Sequence, residues 1–175
     1  GAPALALGLV RADPGTMGKP PRPRGERVIT RRMWTGIIFV GIIMATGTLL
    51  VIDASLPGGL IEGSGTIDHA RTMGFTTLTL FQLFNVFNAR SDERSAFAGL
   101  FANRWLWAAV ALSVALHAGV VYLPFLQEAF STVSLGGSDW LICLATASSV
   151  LWLRELAKLM TTASISAISG NAKAR

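Results

Sequence analysis

The chain has 175 residues, of which 51% are apolar and only 14% are charged. About a quarter of the residues in an ordinary soluble domain are charged, so this composition excludes an ordinary soluble domain. It predicts an integral membrane protein in contact with lipid. The formal charge of +5 does not indicate a nucleic-acid partner, because the basic residues separate apolar blocks instead of lining one surface.

The first 32 residues combine a short apolar stretch with a basic, proline-rich segment. The opening residues GAPALALGLV have neither the charged leader of a signal peptide nor an initiator methionine, so we expect them to be the end of a preceding membrane helix. On this interpretation the chain is a fragment of a longer protein. The rest of the segment 1–32 is then a cytoplasmic loop.

Four apolar blocks in the segment 33–160 approach the length of about 20 residues that a membrane-spanning helix needs. In chain order they are residues 33–52, 72–89, 105–124 and 140–154, the last being the shortest. We therefore predict an all-α fold, a polytopic membrane helical bundle of four transmembrane helices. The final segment, 161–175, is rich in small and polar residues, and we predict a disordered cytoplasmic tail.

Basic residues alternate between the connecting segments. Seven precede the first block and three lie between the second and third, whereas segments 53–68 and 125–139 contain no Lys or Arg. Since positive residues mark the cytoplasmic side, this alternation predicts that both termini are cytoplasmic. Arg71 is the exception, at an outer helix end from which its side chain can reach lipid headgroups.

Three isolated residues carry side chains of the kind that bind metals or undergo redox chemistry. The single cysteine, Cys143, lies inside an apolar block and is predicted to be a small buried side chain. His117 lies in the middle of the third block, where a hydrogen bond between helices is the expected role. His69 stands alone near an outer helix end.

The second block carries three amides, Gln82, Asn85 and Asn88. Gln82 lies eight residues before Arg90, hence about 12 Å from the basic boundary and close to the middle of a core about 30 Å thick. Thr79, Gln82 and Asn85 share one helix face. An unpaired amide in hydrocarbon costs several kcal/mol, so this face is predicted to meet other helices or a hydrated cavity.

Two roles remain open for these amides. They can pair with neighbouring helices, or their oxygens can bind a cation such as calcium, which prefers hard oxygen ligands. No Asp or Glu lies deep within any of the four blocks, so these helices alone do not predict a complete site for a divalent cation.

Two motifs at the start of the chain, GxPAxALG at 1–8 and MxKPPR at 17–22, resemble a known family. They are similar to the end of the sixth membrane helix and the following loop of P-type cation-transporting ATPases of the calcium-pump branch. The stretch TTLTLFQLFNVFNARS, residues 76–91, resembles the eighth helix of that family. Asn103-Arg104-Trp105 resembles the start of the ninth helix, and segments 139–140 and 155–158 the borders of the tenth.

The resemblance implies roles for five residues. Gln82 occupies the position of an ion-ligating carboxylate in endoplasmic-reticulum-type calcium pumps, and is Gln as in plasma-membrane-type pumps, which leaves the transported ion open. Asn85 is the second candidate ion ligand, at the edge of the site. Asp13, Arg22 and Arg24 are candidates for contacts that relay movements of the phosphorylation domain, unless the loop is only a connector.

The resemblance further implies a parent protein that needs ATP and Mg and contains the remaining helices and cytoplasmic domains. This chain lacks the phosphorylation and nucleotide-binding motifs, so whether it belongs to an enzyme stays uncertain from sequence. The short outer loop, and a C-terminal tail without an amphipathic basic helix, suggest a protein of a bacterial plasma membrane. The alternatives are a stand-alone, non-catalytic four-helix protein with a structural or regulatory role and, third, a small channel, which the lack of buried charge does not support.

Overall fold

A computed structural model describes residues 2–8, 31–61, 63–89 and 104–173. All regular secondary structure in these ranges is α-helical, as predicted. The helices are α1 (Ala2–Gly8), α2 (Arg31–Ser55), α3 (Ile67–Ala89), α4 (Arg104–Tyr122), α5 (Pro124–Phe130) and α6 (Gly137–Lys173).

Three of these helices contain segments long and apolar enough to cross a membrane, namely Met33–Ser55, Arg104–Tyr122 and Gly137–Ala157. They correspond to the first, third and fourth predicted spans. The second predicted span lies within α3, which has 23 residues but is less apolar because threonine, histidine and amide side chains interrupt its sequence. Its membrane crossing and the orientation of the termini stay predictions.

Helix α3 packs against both α2 and α6, and the side chains between them form the larger of two buried clusters. Its members include Val40 and Met44 of α2, Phe81 of α3, and Cys143 and Val150 of α6. Because lipid tails are as apolar as these side chains, close packing, more than the hydrophobic effect, stabilises such a contact in a membrane.

Close packing at this cluster depends on a glycine. A Cβ atom added to Gly47 of α2 would lie 2.7 Å from Cζ of Phe81 and 3.2 Å from the Thr146 methyl carbon. Since Phe81 is completely buried, its ring has little room to move. Small residues of this kind let the backbones of membrane helices approach one another.

The second cluster joins α1 to the helices at the basic end of the bundle. Ala6 packs with Phe87 of α3, Leu106 and Ala109 of α4, and Leu151 of α6. Residues 2–8 are thus a helix packed on the bundle, and α1 lies beside the part of α3 that carries Asn85.

Two elements differ from the sequence prediction. The third span was expected to reach residue 124, but α4 ends at Tyr122 and Pro124 begins the separate helix α5, because proline fits the first turn of a helix and breaks its interior. Helix α6 continues to Lys173, through most of the segment 161–175 that we predicted to be a disordered tail. A helix that is already formed extends at low cost through a segment without proline.

Candidate functional site

Helix α3 presents two polar faces that point in different directions. Gln82 is exposed, and Thr79 and Asn85 are half-buried. Because the three are spaced three residues apart in a helix, they share a face, as predicted. Asn88 lies about 120° around the helix from Gln82, at roughly 100° per residue, and is buried with an exposed fraction of 1%. The three amides of the second block therefore have different surroundings.

Within the described part of the chain, the side chains of Gln82 and Asn85 form no hydrogen bond, whereas the hydroxyl of Thr79 donates to the carbonyl of Phe75 at 2.9 Å. An amide at membrane depth requires a polar partner. Under the prediction that α3 crosses the membrane, the face that carries Gln82 and Asn85 is where another helix, water or a cation approaches, and both predicted roles stay open.

Asn88 pairs two helices. Its Nδ2 donates a hydrogen bond to the backbone carbonyl of Val150 in α6, at 3.3 Å. Contacts of this kind between membrane helices are worth roughly 0.6 to 2 kcal/mol. This amide holds α3 against α6 and does not contribute to the exposed face.

His117 and Cys143 occupy the structural roles predicted for them. His117 Nε2 lies 3.0 Å from the Thr76 hydroxyl, which confirms a hydrogen bond between α4 and α3, and its ring stacks at a tilt on Phe75 with centroids 4.9 Å apart. Cys143 is fully buried, with its Sγ 3.6 Å from the carbonyl of Met73.

The sequence interpretation missed a polar contact where α3 and α6 begin. His69 Nε2 lies 3.2 Å from Asp139 Oδ2, and the same carboxylate oxygen accepts a hydrogen bond from the backbone N–H of Gly136 at 2.8 Å. A cleft of about 650 Å³ opens beside the pair and is lined also by Ser55 and Ser64. The available signal was that both residues lie at helix ends on the side of the bundle whose connecting segments, 53–68 and 125–139, contain no Lys or Arg.

Comparison with known proteins identifies the family of the chain. The family model described as "Cation transporting ATPase, C-terminus" matches residues 1–160. The chain belongs to this family. The similarity confirms the resemblance seen in the sequence motifs and, together with the apolar helices, an integral membrane protein.

Individual relatives of this cation-transporting ATPase C-terminal region are named as calcium-transporting ATPases. The chain is 36% identical over 159 residues to "Calcium-transporting ATPase 1" of Yarrowia lipolytica, a match that covers 90% of the chain and 16% of the relative. It is 35% identical over 159 residues to human "Calcium-transporting ATPase type 2C member 1", covering 90% of the chain and 17% of the relative. The chain thus spans about one sixth of the length of these relatives.

Three further predicted site residues of this cation-transporting ATPase region precede α2 in the sequence. Asp13, Arg22 and Arg24 lie outside the described residues. Among the residues that are described, no group of three or more His, Cys, Asp or Glu side chains is arranged to hold a metal ion. The described candidate ligands are therefore the amides of Gln82 and Asn85.

Proposed function

We propose that the chain is the C-terminal membrane region of a P-type ATPase that couples ATP hydrolysis to calcium transport, and that it braces the ion-carrying helices. The observation that carries this proposal is the exposed amide face of α3. Gln82 is exposed on a helix whose opposite face is packed against α2 and α6. A helix that is packed on one face against its neighbours can hold ligand side chains on its other face in a fixed position.

In this proposal Gln82 supplies a side-chain oxygen to the edge of the cation site, with Asn85 one turn away as a second contributor. Amide oxygens are hard ligands suited to calcium. Helix α1 lies beside the adjoining part of α3, since Ala6 and Phe87 belong to the same buried cluster. The remaining ligands would come from other helices of the full-length protein.

The proposal includes α3 as a fourth transmembrane helix, with both termini in the cytoplasm. A helix of 23 residues is about 34 Å long, enough to cross a core about 30 Å thick. It packs against α2 and α6, both of which contain apolar segments long enough to cross a membrane. The alternation of basic and uncharged connections supports the orientation.

The cytoplasmic parts of the full-length protein would bind ATP and Mg. Asp13, Arg22 and Arg24 would contact these cytoplasmic parts. The stand-alone, non-catalytic alternative is not favoured, since the matched relatives are named as ATPases. They are fungal and human proteins, so they lend no support to the bacterial plasma membrane expected from sequence.

The test is the calcium dependence of phosphorylation by ATP in the full-length protein with Gln82→Ala, Gln82→Glu or Leu78→Ala. Losing one oxygen–cation interaction of about 1.5 kcal/mol should raise the calcium concentration for half-maximal phosphorylation roughly tenfold in Gln82→Ala. Gln82→Glu, which introduces a carboxylate at this position, should lower the calcium concentration for half-maximal phosphorylation. The maximum level of phosphoenzyme should persist in both.

Leu78→Ala is the matched control, because Leu78 is exposed on the same face but carries no ligand atom. It should leave the calcium dependence unchanged. If Gln82→Ala also leaves it unchanged, Gln82 pairs helices and does not bind the ion.

A further inference from the structure

Helix α5 is a short helix with no buried residue, placed directly after α4. Phe125 has an exposed fraction of 71% and Phe130 of 56%. Leaving two such side chains in water forfeits about 2 to 3 kcal/mol each relative to burial. Their exposure therefore needs an explanation.

The seven residues of α5 are amphipathic. At about 100° per residue, Phe125, Leu126, Ala129 and Phe130 fall within an arc of roughly 140°. Gln127 and Glu128 lie on the opposite side of the helix. Of all residues in the segment 122–138, Glu128 is the only charged one.

Hydrogen bonds hold α5 against the end of α4. Gln127 Nε2 donates to the carbonyl of Val121 at 2.6 Å and to the Ser134 hydroxyl at 2.9 Å. The hydroxyl of Thr132, just after the helix, donates to the carbonyl of Val120 at 2.7 Å. Helix α5 is thus folded back on the last turn of a membrane-spanning helix and does not project away from it.

Aromatic residues mark the depth of α5 relative to the membrane. Trp140 Nε1 donates to the Tyr122 hydroxyl at 2.8 Å, and that hydroxyl donates to the carbonyl of Leu135 at 2.8 Å. Tyrosine and tryptophan with satisfied polar atoms are typical of the membrane–water interface. Since Tyr122 and Pro124 are two residues apart, α5 begins at this level.

The apolar surface of α5 continues the lipid-facing surface of α4. Leu112, Leu116 and Leu123 are exposed at spacings that place them in one stripe along α4 and its end. Leu123 precedes Phe125 by two residues, and both side chains are exposed. An exposed apolar surface that is continuous with a membrane-spanning helix favours lipid as its occupant.

We propose that α5 is an interfacial lipid-binding helix, which inserts Phe125 and Phe130 into the boundary between headgroups and acyl chains on the side of the membrane where α4 ends. Without Lys or Arg in the segment 122–138, it binds through apolar insertion and does not select anionic lipids. This role does not depend on ion binding by Gln82.

The test uses nitroxide spin labels in the full-length protein, reconstituted into phosphatidylcholine nanodiscs. Single cysteines are introduced by Phe130→Cys and, as the matched position on the polar side, Glu128→Cys, with the native cysteines replaced. Collision rates with oxygen, which concentrates in lipid, and with a water-soluble nickel chelate report the depth of each label. Leu116→Cys and Ser64→Cys provide the lipid and water references.

We expect the label at position 130 to collide several-fold more with oxygen than with nickel, relative to the label at position 128, and to resemble the label at 116. Equal access of nickel to positions 128 and 130 would place α5 in water and overturn the proposal. Low access of both reagents to position 130 would also overturn it, because a protein segment would then cover the face. If replacing Cys143 prevents folding, it can be retained, since its side chain is fully buried.

Discussion

The side-chain amide of Asn88 donates a hydrogen bond to the carbonyl of Val150 and joins α3 to α6. Less than two turns earlier on the same helix, Gln82 is exposed on a different face. One amide therefore holds the bundle together, while the other is available to a partner outside it. This division separates substitutions that should change stability from those that should change ion binding.

Asn88→Ala should lower the free energy of unfolding in detergent micelles by about 1 to 2 kcal/mol, because it removes an interhelical hydrogen bond and leaves a small cavity. Asn85→Ala is the control on the half-buried, unpaired side and should change the free energy by less than about 0.5 kcal/mol. Thermal or denaturant unfolding followed by tryptophan fluorescence measures both. Equal losses from the two substitutions would contradict the assignment.

Gly47→Ala should destabilise the contact of α2 with α3, because the added Cβ would overlap the buried ring of Phe81. Overpacking of this kind costs about 1 to 3 kcal/mol, more than the gain in helix propensity of up to about 1 kcal/mol. At Gly41, also in α2, an added Cβ would meet nothing within 4 Å. Gly41→Ala should therefore be neutral or stabilising in the same unfolding measurement, and a similar result at both glycines would be evidence against close packing at Gly47.

The contact between His117 and Thr76 should appear as a coupling energy in a double-mutant cycle. We expect His117→Ala and Thr76→Val to be coupled by about 0.6 kcal/mol and by no more than about 1.7, the average and the maximum for hydrogen bonds between membrane helices. The four free energies of unfolding of the wild type, the two single variants and the double variant give this value. Additive effects would show that the 3.0 Å contact contributes no net stability.

His69→Ala should destabilise the junction of α3 and α6 more than Arg71→Ala does. The His69–Asp139 side chains are only 28% and 21% exposed, whereas the Arg71–Asp68 pair, one turn apart in α3, is 61% exposed at both residues. Exposed ion pairs contribute about 0 to 1 kcal/mol, and water screens them. Protease accessibility of the segment 131–136 measures the loosening, and faster cleavage in Arg71→Ala than in His69→Ala would refute this prediction.

The sequence was sufficient to predict the membrane class, three apolar spans and the family. These depend on local properties, namely the length of an apolar run and short motifs that can be read along the chain. It also indicated that His117 would join two helices, since an imidazole amid apolar residues requires a partner. The existence of α5 was missed, although Pro124 marked the place where α4 had to end.

The sequence by itself determined that α3 is a helix with three amides near its basic end, and that Thr79, Gln82 and Asn85 share a face. Only the tertiary structure decided which face turns inward, because the rotation of α3 about its axis is set by packing against α2 and α6, on residues such as Phe81. That rotation buries Asn88 against Val150 and leaves Gln82 exposed. The pairing of His69 with Asp139 was decided in the same way, since it joins residues 70 positions apart through the meeting of two helix ends.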